Sequence, residues 1–180
     1  MHAESETSFL ANLNQNIRIV HQVCHTYFPR DALEREDLFQ DIMYQLWKSY
    51  PKFKWESKFS TWMYKVALNM AITHIRRSIR APRNEELTES VARAPDIDEL
   101  MSREEELYQL HEAIAALTDI DKAIILLHLE DHDYDEIACI TGLTRTNVSV
   151  RLVRIKRALK DYLSRKSIMQ KEQLCHPEMK

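Results

Sequence analysis

The sequence predicts an all-α protein, two small helical domains joined by an acidic flexible linker, the C-terminal one a helix-turn-helix. Three observations carry this. One glycine and five prolines in 180 residues leave few sites for the tight turns that hairpins and barrels need. Apolar residues recur at the i, i+3, i+4 spacing of amphipathic helices along most of the chain. Charge is segregated: residues 48–83 hold nine Lys/Arg and one Glu, residues 84–106 nine Asp/Glu and two Arg, and residues 145–166 eight Lys/Arg and one Asp. The formal net charge of −3 hides these two basic blocks around an acidic one. A hydrophobic content of 44% is enough for folded cores.

Residues 5–28 place Phe9, Leu13, Ile17, Val20, Cys24 and Tyr27 on one helical stripe, closed by Pro29. His21, Cys24 and His25 lie within it, but no further ligand of suitable spacing is near, so a packing helix is expected and no metal. Residues 31–37 are charged and lead into a second helix. There Leu38, Ile42 and Leu46 run beside Phe39, Met43 and Tyr50 until Pro51 stops it. A third helix restarts with Ser60 as its expected N-cap. Its stripe is Tyr64, Leu68, Ile72, Ile75 and Ile79, which leaves Lys65, Asn69, Arg76 and Arg77 for other faces.

The connector between these helices has an unusual composition. Residues 44–64 hold 8 of the chain's 15 aromatics and all three tryptophans: Tyr44, Trp47, Tyr50, Phe53, Trp55, Phe59, Trp62 and Tyr64. Lys48, Lys52, Lys54, Lys58 and Lys65 are threaded among them. Rings interleaved with cations suit single-stranded nucleic acid, because bases stack on the rings while ammonium groups follow the phosphates. A small helical core with lysines snorkelling around it fits the same pattern. The pattern alone does not separate the two.

After Arg80 the sequence APRNEELTESVARAPDID loses its apolar period and carries Pro82 and Pro95, which predicts a linker. A second domain begins at Ser102, which forms a capping-box pattern with Glu105, and Leu107, Leu110, Ile114 and Leu117 continue a helical stripe. Thr118 with Asp121 starts the next helix, with Ile124, Ile125, Leu127 and Leu129 as buried candidates. Asp133 with Glu136 starts another, which ends at Gly142, the one residue suited to a C′ position of positive φ. Thr144 caps the last helix, whose stripe is Val148, Leu152, Ile155, Leu159 and Leu163. A short helix, a turn at glycine and a longer helix with a basic outer face match a helix-turn-helix, with Ala138 small at the crossing. Arg145, Asn147, Ser149, Arg151, Arg154, Lys156 and Arg157 are then placed for base edges and phosphates.

The run HLEDHDYDE alternates aspartates like a calcium loop, but Glu136 stands where glycine is needed and Gly142 where the bidentate glutamate is needed. Calcium is rejected, and no cofactor is expected. No nucleophile, base and orienting residue converge at motif spacing, so an enzyme is not expected. Three cysteines at wide spacing suggest free thiols in a reducing compartment. No apolar run approaches a membrane span, and MHAESETSF lacks the features of a signal peptide, so a cytoplasmic protein without membrane insertion is expected.

With both stretches in view, the chain resembles an extracytoplasmic-function sigma factor of bacterial RNA polymerase, within the sigma-70 superfamily. Asp37, Gln40 and Trp47 fit the family's D-x-x-Q-x-x-x-x-x-x-W. Phe59, Thr61, Trp62, Tyr64, Ala67, Asn69, Arg76 and Arg77 fit its F-x-T-W-x-Y-x-x-A-x-N-x-x-x-x-x-x-R-R. Residues 117–159 are like its C-terminal helix-turn-helix. The resemblance implies a division into residues 1–81, a linker over 82–101, a helix-turn-helix domain over 102–165 and a tail over 166–180. It implies that Asp37, Gln40, Asp41, Tyr44 and Trp47 grip the clamp helices of the largest subunit of core RNA polymerase. Lys58, Phe59, Thr61, Trp62, Tyr64, Lys65, Asn69, Arg76 and Arg77 would capture the minus-ten element as its strands separate. Thr144, Arg145, Thr146, Asn147, Ser149, Arg151, Arg154 and Arg157 would read the duplex minus-thirty-five element. Further implied contacts are the beta-subunit flap and an anti-sigma factor. The chain departs from the family at Thr73, often aspartate, at the Asp131-His132-Asp133 loop, usually leucine- and glycine-containing, and at Asn147 and Ser149, often glycine and lysine. These departures bear on promoter sequence, not class. A free-standing helix-turn-helix regulator would explain residues 118–163 and leave the aromatic, lysine-rich stretch unexplained.

Overall fold

The structure, a computed structural model, describes the backbone of residues 2–80 and 100–174 and the side chains of residues 7–77 and 107–166. Among the described residues there are seven α-helices, one 3-10 turn over Tyr50–Lys52, and no strand. Helices α1 (His2–Tyr27), α2 (Ala32–Ser49) and α3 (Phe59–Arg80) pack on one another as the N-terminal half. Helices α4 (Leu100–Ala115), α5 (Asp119–Leu129), α6 (Tyr134–Thr141) and α7 (Arg145–Leu174) form the C-terminal half.

In the first half the stripes of α1 and α2 become core as expected, whereas on α3 the buried line is shifted. There Met63, Ala67 and Ala71 are fully buried beside Tyr64 and Leu68, and the expected Ile72 and Ile75 are only half-buried. Leu13, Val20, Val23 and Cys24 of α1 are buried with Leu38, Ile42 and Leu46 of α2 and Met63, Ala67 and Ala71 of α3. Burial pushes the Cys24 thiol up to about 12, so it remains a neutral packing group. Two helix starts differ from expectation. The charged run 31–37 is itself helical from Ala32, because the Asp31 carboxylate accepts the Glu34 N–H at 3.0 Å and caps α2. α3 begins at Phe59, one residue before Ser60. The Trp62 N–H donates to the Lys58 carbonyl at 3.2 Å, so Lys58 and not Ser60 holds the cap position.

In the second half the caps and the glycine turn hold, but Leu107 and Leu129, expected on buried stripes, are 55% and 58% accessible at the rim of a hollow between α1, α4 and α5. The Thr118 hydroxyl accepts the Asp121 N–H and donates to the Asp121 carboxylate at 2.7 Å. The Asp133 carboxylate accepts the N–H groups of Asp135 at 2.9 Å and Glu136 at 2.8 Å. The Asn147 N–H donates to the Thr144 hydroxyl at 3.2 Å. Gly142 has φ +74°, and its N–H bonds the Ala138 carbonyl. The Ser102–Glu105 side chains lie outside the described residues, and α4 already begins at Leu100. Most of the expected linker, and residues 175–180 of the expected tail, also lie outside them. α7 runs on to Leu174, through a stretch of Lys, Met, Gln and Glu that favours helix and contains no breaker.

The α5–α6 turn uses an unusual residue. Asp131 has φ +60°, its N–H bonds the His128 carbonyl at 3.3 Å, and the His132 N–H reaches back to the Leu127 carbonyl at 3.1 Å. That is a Schellman closure with aspartate at the left-handed position where glycine is favoured. Asp131→Gly is therefore expected to stabilise the fold by about 1 kcal/mol, read as a melting temperature ~2–4 °C higher in a thermal scan.

The two halves meet along α1 and α3 on one side and α4, α5 and α6 on the other. The Tyr27 hydroxyl donates to the Asp119 carbonyl at 2.7 Å, the Gln22 amide to the Glu130 carboxylate, and Arg30 to Glu112 and the Tyr108 hydroxyl. The Tyr64 ring meets His132 edge-on at 5.1 Å, and burial pushes its hydroxyl up to about 12. Glu136 takes His132 Nδ1 at 3.0 Å and Lys58 Nζ at 3.3 Å, which holds its carboxyl below the ordinary 4.5. This link is complete above that ordinary value and is lost as pH falls through the lower folded-state value.

Candidate nucleic-acid interface

Three surfaces collect the residues singled out from the sequence. The first is the outer face of α2. Asp37, Gln40, Tyr44 and Trp47 are exposed at helical spacing, with Tyr44 64% and Trp47 46% accessible. Large rings left open in a row are uncommon on a solvated helix and suit a macromolecular partner. Asp41 stands one row inward, half-buried, with its carboxylate 3.6 Å from His74 Nδ1 on α3. His74 Nε2 also lies 2.6 Å from the Glu34 carboxylate.

The second surface is the connector and the start of α3. Its rings pack in part as the small core that one of the two sequence readings expects. Phe53, Phe59 and Trp62 pack as a small aromatic cluster, with Trp62 5.0 Å from Phe53 and 5.3 Å from Phe59 between ring centres. Lys48, Lys52, Lys54, Lys58 and Lys65 all remain exposed around it. Trp55 lies on the outside of the cluster, its ring 4.8 Å from Phe53, yet 58% accessible and held at φ +58°. The nine residues expected here divide by burial. Lys58, Lys65, Asn69, Arg76 and Arg77 are exposed and Trp62 is half-buried, whereas Phe59, Thr61 and Tyr64 are buried. In this conformation Phe59 packs in the aromatic cluster and Tyr64 between the halves against His132, while Thr61 lines a cleft facing α6. A cleft of about 370 Å³ separates this surface from α6, lined by Lys52, Lys54, Trp62 and Lys65 on one side and Cys139 and Ile140 on the other.

The third surface is the outer face of α7. Val148, Leu152, Ile155 and Leu159 bury one side of the helix. Thr144, Arg145, Thr146, Asn147, Arg154 and Arg157 are exposed, and Ser149 is half-buried. Arg145 lies 3.7 Å from the Asp135 carboxylate on α6, a solvent-exposed pair that holds neither side chain firmly. Arg151 is tied differently: its guanidinium donates to Asp121 at 2.8 Å, with the aspartate largely covered and the arginine half-buried. In this conformation it braces α7 on α5. Val150 and Val153, not singled out from the sequence, share the exposed face. The signal for them was available, since a buried stripe at 148, 152, 155 and 159 puts 150 and 153 on the opposite side.

Among the described residues no group of three or more His, Cys, Asp or Glu is placed to hold a metal, and no helix is long and apolar enough to cross a membrane.

Residues 13–81 match the family Sigma-70 region 2, and residues 107–159 match Sigma-70, region 4. Relatives include the RNA polymerase sigma-H factor of Pseudomonas aeruginosa, 27% identical over 143 residues, 73% of this chain and 74% of that protein. The ECF RNA polymerase sigma-E factor of Haemophilus influenzae is 26% identical over 136 residues, 69% of this chain and 72% of that one. The fold is shared with the sigma factor RpoE solved with the anti-sigma factor NepR from Bartonella quintana. Their TM-score is 0.67 at 18% identity, covering 87% of this chain and 97% of that one. CnrH, solved with the cytosolic domain of CnrY, gives a TM-score of 0.64 at 17% identity over 90% and 94% of the two chains. With both regions present in this order, flanking the acidic segment, the chain belongs to the extracytoplasmic-function sigma factors of the sigma-70 family.

Proposed function

We propose that this sigma factor divides its work among the three surfaces. It directs core RNA polymerase to promoters, and the observation that carries this is the pairing of region 2 with region 4 in one chain. The exposed stripe of α2, Asp37, Gln40, Tyr44 and Trp47 with Asp41 behind it, docks on the clamp helices of the largest polymerase subunit. Trp62, Asn69 and the lysines and arginines of the α3 surface take the separated strands of the minus-ten element, bases on rings and phosphates on cations. The outer face of α7 reads the minus-thirty-five duplex, with region 4 seated near the beta-subunit flap. An anti-sigma factor is a further partner, and action in the cytoplasm follows from the role. Residues 1–81 and 102–165 are the two working domains, the segment between them a tether and residues 166–180 a tail. The chain performs no chemistry of its own.

The contact between halves bears on when this happens. Thr61 and Trp62 line one wall of the cleft and Cys139 and Ile140 of α6 the other, so α6 narrows access to this surface and strand capture requires the halves to part. The links across the join are buried packing around Tyr27 and Tyr64 together with a few hydrogen bonds and ion pairs, several of them solvent-exposed, which a large polymerase interface can outweigh. The free chain is accordingly expected to bind promoter duplex weakly, with core polymerase restoring binding. Gel shifts at physiological salt check this, and tight sequence-specific binding by the isolated chain would instead favour a free-standing regulator. Transcription by purified core polymerase on genomic fragments, with and without this protein, tests the function itself. Discrete new start sites that depend on the protein are expected, and their absence would overturn the assignment.

A further inference from the structure

The recognition helix α7 carries two side chains that neither phosphate nor hydrogen-bonding readout explains. Val150 is 46% and Val153 61% accessible, on the side of α7 opposite the buried Val148, Leu152, Ile155 and Leu159. At 100° per residue Val150 points almost directly away from that buried line, with Arg157 and Thr146 beside it and Val153 and Arg154 flanking. Val150 also lines an open hollow with Asn147, Arg151 and Arg154. β-Branched residues are weak helix formers, and their exposed methyls gain nothing from water. Arg154 and Arg157 flank them, so a polyanion is the partner whose charge fits this face.

We propose that Val150 and Val153 are specificity determinants of the upstream promoter element, reading the 5-methyl groups of thymines at adjacent A·T pairs in the major groove. This rests on the reading of α7 as the helix that enters the minus-thirty-five groove. The thymine methyl is the one apolar feature that B-DNA displays there, and it marks A·T against every other pair. The two valines are separated along the helix axis by about 4.5 Å, close to the 3.4 Å step between base pairs, so both reach neighbouring pairs in one groove. Asn147 lies one turn nearer the N-terminus on the same side and is suited to the N6 and N7 edge of adenine. Arg151, held by Asp121 at 2.8 Å, fixes the rotation of α7 and is a positioning residue for the pair.

The test uses holoenzyme assembled from core polymerase and the full chain, on a promoter found by the transcription experiment above. Each thymine of the upstream element is replaced in turn by deoxyuridine, which removes the methyl and keeps every hydrogen-bonding group. At one or two positions the substitution is expected to weaken holoenzyme binding roughly three- to fivefold, the effect of one buried methyl. Val150→Ala should make holoenzyme indifferent to deoxyuridine at one of those positions and Val153→Ala at the other, with the remaining thymines unaffected. Circular dichroism should be unchanged, since both positions are exposed and alanine favours helix. Equal sensitivity to deoxyuridine in wild type and both variants would overturn the proposal, as would wild-type binding that no thymine-to-deoxyuridine replacement weakens. Failure of the parent reading looks different: no protein-dependent promoter is found at all.

Discussion

Asp41→Arg is expected to abolish capture of core RNA polymerase while leaving the helical fold intact. Asp41 lies just inside the exposed stripe of α2 and presents a carboxylate that is about half accessible. Reversing its charge inside a contact face brings like charges together, which costs several kcal/mol and lowers affinity by roughly 30-fold or more. The fold has less to lose. The carboxylate is 3.6 Å from His74, and His74 keeps its 2.6 Å contact with Glu34. Leu38, Ile42 and Leu46, which hold α2 in place, are untouched. Co-purification with core polymerase, read beside circular dichroism, checks this. Unchanged co-purification with a normal spectrum would show that α2 is not the docking face.

The second large effect is expected at the α3 surface, where Trp62→Ala or Asn69→Ala should leave polymerase recruitment in place and stop promoter melting. A base stacked on Trp62 is worth about 1–3 kcal/mol, enough to remove most open complex when opening is marginal. Trp62 is half-buried against Phe53 and Phe59, so its truncation also loosens the aromatic cluster. Asn69 is exposed and carries no such packing role, which makes it the cleaner of the two. If Trp62→Ala failed and Asn69→Ala opened normally, the defect would trace to the cluster's stability rather than to strand capture. A thermal scan of each variant separates those cases.

Much of the fold was legible because its signals are local. Thr118, Asp133, Gly142 and Thr144 each act within four residues of themselves, and each does what its residue type predicts. Most apolar stripes became buried faces of their helices, since periodicity follows directly from helix geometry. But Leu107 and Leu129 stand open and the buried line of α3 runs through Met63, Ala67 and Ala71, because which edge of a stripe is covered depends on the neighbouring helices. What was not legible depends on residues far apart in sequence. Arg151 was expected at DNA and is held by Asp121, thirty positions earlier. Tyr64 was expected to meet a base and meets His132 of the other half. Phe59 folds into a cluster with Phe53 and Trp62, and no pattern in the connector says which of its rings turn inward. Ser60 misled because a serine before an apolar run is a frequent cap, yet the helix starts one residue earlier. The join between the halves left no trace in the sequence either, because its contacts connect residues such as Lys58 and Glu136 that are distant along the chain.

The central claim is that the α3 surface holds separated strands while the α7 surface anchors duplex. Arg154→Ala probes the second surface. If Arg154 contacts a guanine edge, the loss should be ~1–3 kcal/mol at one upstream pair, and if it contacts phosphate, all upstream sequences should weaken alike. Permanganate footprinting of unpaired thymines, run with holoenzyme on closed and on artificially pre-opened templates, compares both surfaces in one measurement. The account predicts that Trp62→Ala and Asn69→Ala fail to open the closed template, and that Arg154→Ala regains normal function once the template is opened for it. Normal opening by the Trp62 variant, or an Arg154 variant still blocked on the pre-opened template, would contradict it.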